Sequence, residues 1–123
     1  MDLDAIRGFC LSFPRATENL QWGEELCFKV GGKLFAVVGL GSFPQRITFK
    51  CSPETFAELT EREGIAPAAY VGRYKWVTLE YLEVLPEPEL REAISQSYNM
   101  VAAKAKPANR RGESRKERPR TAQ

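Results

Sequence analysis

Apolar positions fall in short runs whose period changes along the chain. Leu3, Ile6, Cys10 and Phe13 recur every three or four residues behind Asp2, which predicts a capped amphipathic helix closed by Pro14. Gly8 lowers the helix propensity of this stretch. Residues 15–23 are polar without a period and read as an irregular connection leading to Trp22-Gly23. The period then becomes two. Leu26, Phe28 and Val30 alternate with Glu25, Cys27 and Lys29, the pattern of a strand with one buried face. Gly31-Gly32 predicts a tight hairpin turn, because glycine takes positive φ without a Cβ clash. Lys33 to Gly39 returns as the partner strand, and residues 39–45, with two glycines and Pro44, form a loop. Arg46 to Cys51 alternates again, with Ile47, Phe49 and Cys51 inward and Arg46, Thr48 and Lys50 outward.

Ser52-Pro53 predicts a second helix with Ser52 as cap and proline at its first position, where the missing N–H costs nothing. Phe56 and Leu59 would face the core, and Gly64 would stop it. A short strand around Ala69 to Val71 is expected at a sheet edge because of Pro67. Tyr74 to Glu80 reads as a further strand. Pro86-Glu87-Pro88 introduces a last helix with the stripe Leu90, Ala93, Ile94, Ser97, Tyr98 and Val101. The order α-β(3)-α-β(2)-α with short connections calls for an antiparallel sheet. The fold class expected is α+β in two layers, with helices on one face of the sheet.

A chain of 123 residues holds one such domain, and its charge divides it. From Lys104 onward there are eight basic and two acidic residues, whereas residues 1–103 hold ten basic and fourteen acidic ones. The expected organisation is a domain over residues 1–103 and a disordered basic tail over residues 104–123, too poor in apolar side chains to fold. The longest apolar run, Leu34 to Val38, is far short of the ~20 residues that span a bilayer. Met1-Asp2-Leu3-Asp4 is acidic where a secretion signal would be basic. No membrane association and a cytoplasmic location are expected.

The chain contains no histidine, which excludes Ser–His–Asp and Cys–His catalysis and the common histidine metal sites. Cys10, Cys27 and Cys51 are widely spaced and lie in apolar patterns, as reduced, buried thiols do. The acidic pairs Glu24-Glu25, Glu61/Glu63 and Glu87/Glu89 read as solvated rather than catalytic. Gly39-Leu40-Gly41 precedes another strand rather than a helix, and Gly31-Gly32-Lys33 lacks the rest of a phosphate-binding loop; both are turns. No catalytic residue, metal or cofactor is expected.

One stretch interleaves basic and aromatic residues. Tyr70-Val71-Gly72-Arg73-Tyr74-Lys75-Trp76 could combine phosphate contact with a stacking surface, or could be a strand with Trp76 as core anchor. Arg46 and Lys50 share an outward face to which Lys29 could add.

Several landmarks in order resemble the MmcQ/YjbR-like family of small bacterial proteins. They are Phe28-Lys29-Val30-Gly31-Gly32-Lys33-Leu34-Phe35-Ala36, then Ile47-Thr48-Phe49-Lys50-Cys51 before a proline-started helix. Pro67-Ala68-Ala69-Tyr70 with Lys75-Trp76 follows, then Ser97-Tyr98-Asn99-Met100-Val101. The resemblance covers about residues 3–103. It implies the α-β(3)-α-β(2)-α arrangement and DNA binding through a double-wing motif built from the sheet and its loops. Carried onto this chain, that role would fall to Lys29, Lys33, Lys50, Arg73, Lys75 and Trp76. The family's two lysines and histidine before the tryptophan are Arg73, Tyr74 and Lys75 here.

Two function classes follow. In the first, a non-enzymatic, DNA-binding protein of low sequence specificity uses those sheet and loop residues, with Arg110, Arg111, Arg115 and Lys116 of the tail supplying phosphate attraction. In the second, the sheet face or last helix docks a protein. The expected state is a monomer. An acidic body needs a local basic patch to bind nucleic acid, so the placement of the lysines discriminates the two.

Overall fold

The computed structural model describes residues 1–105. It has three α-helices and one six-stranded sheet, in the order α1 (Leu3–Leu11), β1 (Ala16–Gln21), β2 (Glu25–Val30), β3 (Lys33–Gly39), β4 (Arg46–Lys50), α2 (Pro53–Leu59), β5 (Ile65–Pro67), a 3-10 turn (Gly72–Tyr74), β6 (Trp76–Leu79) and α3 (Glu87–Lys104). The strands lie β1-β2-β3-β4-β6-β5, and every adjacent pair is antiparallel. The two-layer α+β class holds, with one more strand than the pattern predicted.

Local chemistry sets the boundaries. Asp2 caps α1 by accepting from the Ala5 N–H at 2.8 Å, and Ser52 caps α2 by accepting from Thr55 N–H at 3.1 Å with Pro53 behind it. These caps satisfy N–H groups that have no partner inside the helix. Gly31 and Gly32 take φ of 58° and 78°, closing the β2–β3 hairpin between Val30 and Lys33. Just beyond, the pairing slips: Phe28 faces Ala36, but Lys29 faces Leu34. Phe35 is therefore the extra residue of a β-bulge, and both Phe35 and Ala36 are buried.

The core lies between the sheet and the helices. Phe28, Phe35, Phe49, Ile47 and Leu79 from the sheet meet Ile6 of α1, Leu59 of α2, and Leu90, Ile94 and Val101 of α3. The whole predicted α3 stripe is buried, including Ser97. Phe13 stacks on Tyr98 with ring centroids 4.4 Å apart, and the Tyr98 hydroxyl donates to the Pro14 carbonyl at 2.7 Å. Each fully buried aromatic or aliphatic side chain contributes about 1.5–3 kcal/mol. No helix among the described residues is long and apolar enough to cross a membrane.

Four sequence expectations are corrected. Residues 16–21 are a strand rather than an irregular connection; β1 is an edge strand held by its backbone ladder to β2, and Thr17, Glu18, Asn19 and Gln21 give it no apolar alternation. The strand expected at Ala69–Val71 lies earlier, at Ile65–Pro67, because Ile65 is the residue buried opposite Leu79. Pro67 ends that ladder. The second helix stops at Leu59, where the Thr60 hydroxyl donates to the Phe56 carbonyl at 2.7 Å; Gly64, with φ of 85°, instead turns the chain into β5. Lys104 belongs to α3 rather than to a tail. The remainder of the expected tail lies outside the described residues.

Candidate functional site

All three helices pack on one face of the sheet, so the opposite face is left open. Strand alternation determines which residues line it. Thr48 and Thr78 are direct partners there, with hydroxyl oxygens 2.8 Å apart, and the register continues through Val37, Cys27 and Asn19. On one side of this line Lys50 pairs with Trp76, and Lys29 pairs with Leu34 and with Thr17. On the other side Arg46 pairs with Gly39, and Glu25 pairs with both Gly39 and Gln21.

A cavity of about 690 Å³ crosses this face, lined by Trp22, Glu25, Leu34, Val37, Thr48, Tyr70, Val71 and Trp76 among others. Val37 and Thr48 form part of its floor. Trp22 rises from the β1–β2 turn at one end, and the loop between β5 and β6 raises Tyr70 and Val71 beside Trp76 at the other. At ~4.8 Å per strand and ~3.3 Å per residue, Glu25 and Trp76 stand roughly 20 Å apart. A compact small molecule cannot touch both ends. The shape is an elongated trough.

The aromatic rims are exposed and conformationally unusual. Trp22 is 76% exposed and Tyr70 97%, with φ of 53° and 68°. Left-handed backbone disfavours bulky side chains and costs of order 1–3 kcal/mol. Lys75, directly before Trp76, also has positive φ, at 71°. Two of the four positive-φ residues other than glycine among the described residues, Trp22 and Tyr70, thus line one trough.

Electrostatics separate the two faces. In the helix layer Arg7, Arg62 and Arg91 are committed to Glu18, Glu89 and Glu87 at 2.6, 3.0 and 2.9 Å. Lys29, Arg46 and Lys50 make no ion pair among the described residues. The helix layer also exposes Glu92 of α3 beside the paired Glu87 and Glu89. The Arg7 guanidinium holds the Glu18 carboxyl below the usual carboxylate range, chiefly by hydrogen bonding. Burial pushes the Cys10 and Cys51 thiols up to about 12 and raises that of Cys27 as well. All three cysteines are free and buried. No group of acidic, cysteine or histidine side chains able to hold a metal occurs among the described residues.

The structure separates the residues singled out from sequence. Lys29, Lys50 and Trp76 share the open face, and Tyr70 lines the same trough. Lys75 turns away from it, its Nζ 5.0 Å from the ring centroid of Phe56 in α2. Arg73 lies over its neighbour Tyr74 at 4.9 Å. Lys33 sits exposed where the β2–β3 hairpin turns. The five lysine and arginine positions therefore do not form one cluster. Arg110, Arg111, Arg115 and Lys116 lie outside the described residues. Trp22 was not among the candidates; the only sequence signal for it was Trp22-Gly23 standing as a turn, which becomes legible once β1 is known.

Comparison with known proteins agrees with this architecture. The crystal structure of a Deinococcus radiodurans protein containing the domain DUF419 superposes with a TM-score of 0.78 at 29% identity, over 90% of this chain and 86% of that one. A Pseudomonas syringae protein shares the fold at a TM-score of 0.68 and 19% identity, over 82% of this chain and 99% of that one. No curated protein matches. The YjbR family profile matches residues 11–100, the span from the end of α1 through most of α3, and the chain belongs to the YjbR family.

Proposed function

We propose that this chain is a non-enzymatic, cytoplasmic nucleic-acid-binding protein that lays unpaired DNA along the open face of its sheet. The carrying observation is the convergence of Lys29, Lys50 and Trp76 on the one face left uncovered by helices, beside a trough rimmed by exposed aromatic rings. Aromatic rings spaced along an extended groove receive successive bases by stacking, and unpaired cations beside them contact phosphates. Duplex recognition has less support. Helices that could enter a major groove are packed against the sheet. The basic residues outside the described span would add sequence-independent attraction.

The test is fluorescence anisotropy with a labelled 30-nucleotide single strand and a 30-base-pair duplex, at 50 and 200 mM salt. Both the full chain and a chain ending at residue 105 are measured. Lys29, Arg46 and Lys50 engaging phosphates predict a log–log salt slope near −2 for the shorter chain on the single strand, about a fifteen-fold loss over this range. Binding that vanishes with residues 106–123 would reduce the activity to a polycationic segment. The domain would then be pursued as a protein-interaction module.

A further inference from the structure

We propose that the groove between α2 and α3 is the docking site, within the same molecule, of the basic segment 106–123, with Arg110-Arg111 entering it. The groove encloses about 260 Å³ over a base of buried Leu59, Leu85 and Ala93. Polar links between the two helices close both ends. At one end the Thr55 hydroxyl donates to Gln96 Oε1 at 3.3 Å. At the other the Arg62 guanidinium donates to both Glu89 oxygens, at 3.0 and 3.3 Å. Glu58 and Glu92 lie midway along the opposite walls, exposed and in no ion pair among the described residues. Arg62, the one basic side chain lining the groove, is committed to Glu89. An apolar base flanked by two unpaired carboxylates fits an arginine. Its methylene stem covers the apolar surface, and its planar five-donor head meets the carboxylates.

Charge and reach select this occupant. Residues 106–123 carry seven basic and two acidic side chains, against eleven basic and fourteen acidic ones in residues 1–105. Helix α3 runs to Lys104, about 17 Å along its axis from Ala93 at 1.5 Å per residue. Arg110 and Arg111 follow six and seven residues later, and an extended chain of that length covers roughly 20 Å. The pair can therefore return to the groove, whereas Lys106 stands too close to the end of α3. Exposed ion pairs are weak singly. The short connection, however, holds these arginines at an effective concentration on the order of 1 mM, so a contact too weak to form between separate molecules is populated within one. The docking does not depend on the nucleic-acid reading; phosphates draw the same guanidinium groups, so a bound strand and the groove compete for them.

The experiment uses the full chain with Gly112→Cys and a nitroxide attached there, which the burial of the three native cysteines makes selective. Paramagnetic broadening of the backbone amides is read by NMR at 50 mM salt. Amides of Thr55–Arg62 and Glu89–Gln96 are expected to lose most of their intensity, while those of β1, at the far edge of the sheet, keep theirs. Glu58→Gln with Glu92→Gln should return the groove amides to the intensity of the β1 amides without moving the unfolding midpoint. Even broadening over the whole surface, or groove broadening unchanged in the double variant, overturns the docking. Groove broadening that persists when nitroxide and isotope are carried on separate molecules assigns the segment to a second copy and overturns the intramolecular contact.

Discussion

The Ser97 hydroxyl donates to the Phe35 carbonyl at 2.6 Å while accepting the Lys50 N–H at 3.0 Å. Phe35 is the bulge residue of β3 in its pairing with β2, and Lys50 ends β4 one position beyond Ala36 and Phe49, the last β3–β4 partners. One buried side chain from α3 joins these two backbone groups. Ser97 is fully buried and is the lone polar residue in the core of the described chain. The same contact holds the backbone of Lys50, whose side chain belongs to the opposite face.

Replacing Ser97 with Ala leaves an N–H and a carbonyl unpaired inside the core. Unsatisfied buried polar groups cost about 1–3 kcal/mol each, so Ser97→Ala is expected to lower unfolding stability by roughly 2–3 kcal/mol in urea denaturation. Exposed Asn99→Ala, two residues on, serves as the control and should change little. A loss below about 0.5 kcal/mol for Ser97→Ala would mean that water takes the place of the hydroxyl.

Lys29→Ala with Lys50→Ala tests the interface without touching the core. Both side chains are half-exposed and unpaired, so the unfolding midpoint should stay the same. Two lost phosphate contacts should reduce the magnitude of the single-strand salt slope by about 1.4. Lys75→Ala, on the α2 side, should leave the slope unchanged.

The Arg7–Glu18 pair predicts a pH dependence of definite sign. The folded carboxyl of Glu18 titrates below its unfolded value because Arg7 hydrogen-bonds the charged form. Its stabilisation is therefore present above the unfolded pKa of about 4.3 and is lost as pH falls through the folded pKa. Thermal unfolding of Glu18→Gln against the parent should show a difference at pH 7 that shrinks between roughly pH 5 and pH 3. Because the pair is partly exposed, high salt should shrink it too.

Thiol labelling tests the core directly. With Cys10 and Cys51 at about 12 and all three cysteines buried, the native chain at pH 8 should resist iodoacetamide for hours, since the thiolate is the reactive species. Full labelling should follow in denaturant. Rapid native modification of any one would show that its strand or helix opens locally.

The sequence by itself determined the elements whose burial repeats with their own period. The α3 stripe from Leu90 to Val101, the β2–β3 hairpin around Gly31-Gly32 and the Ser52-Pro53 helix start were all legible, because capping, turn chemistry and one-sided burial act within a few residues. Lys29 and Lys50 were legible as outward positions by the same alternation. The edge strand β1 escaped because partnership with β2, not its own apolar content, makes it a strand.

Only the tertiary structure decided the site. Lys75 and Trp76 are neighbours in the chain, yet one reaches Phe56 on the helix side and the other lines the open trough. Trp22 and Tyr70, far apart in sequence, rise at its ends. Such juxtapositions depend on which strands pair and on which face the helices cover. Both are settled by long-range register, which no local pattern encodes.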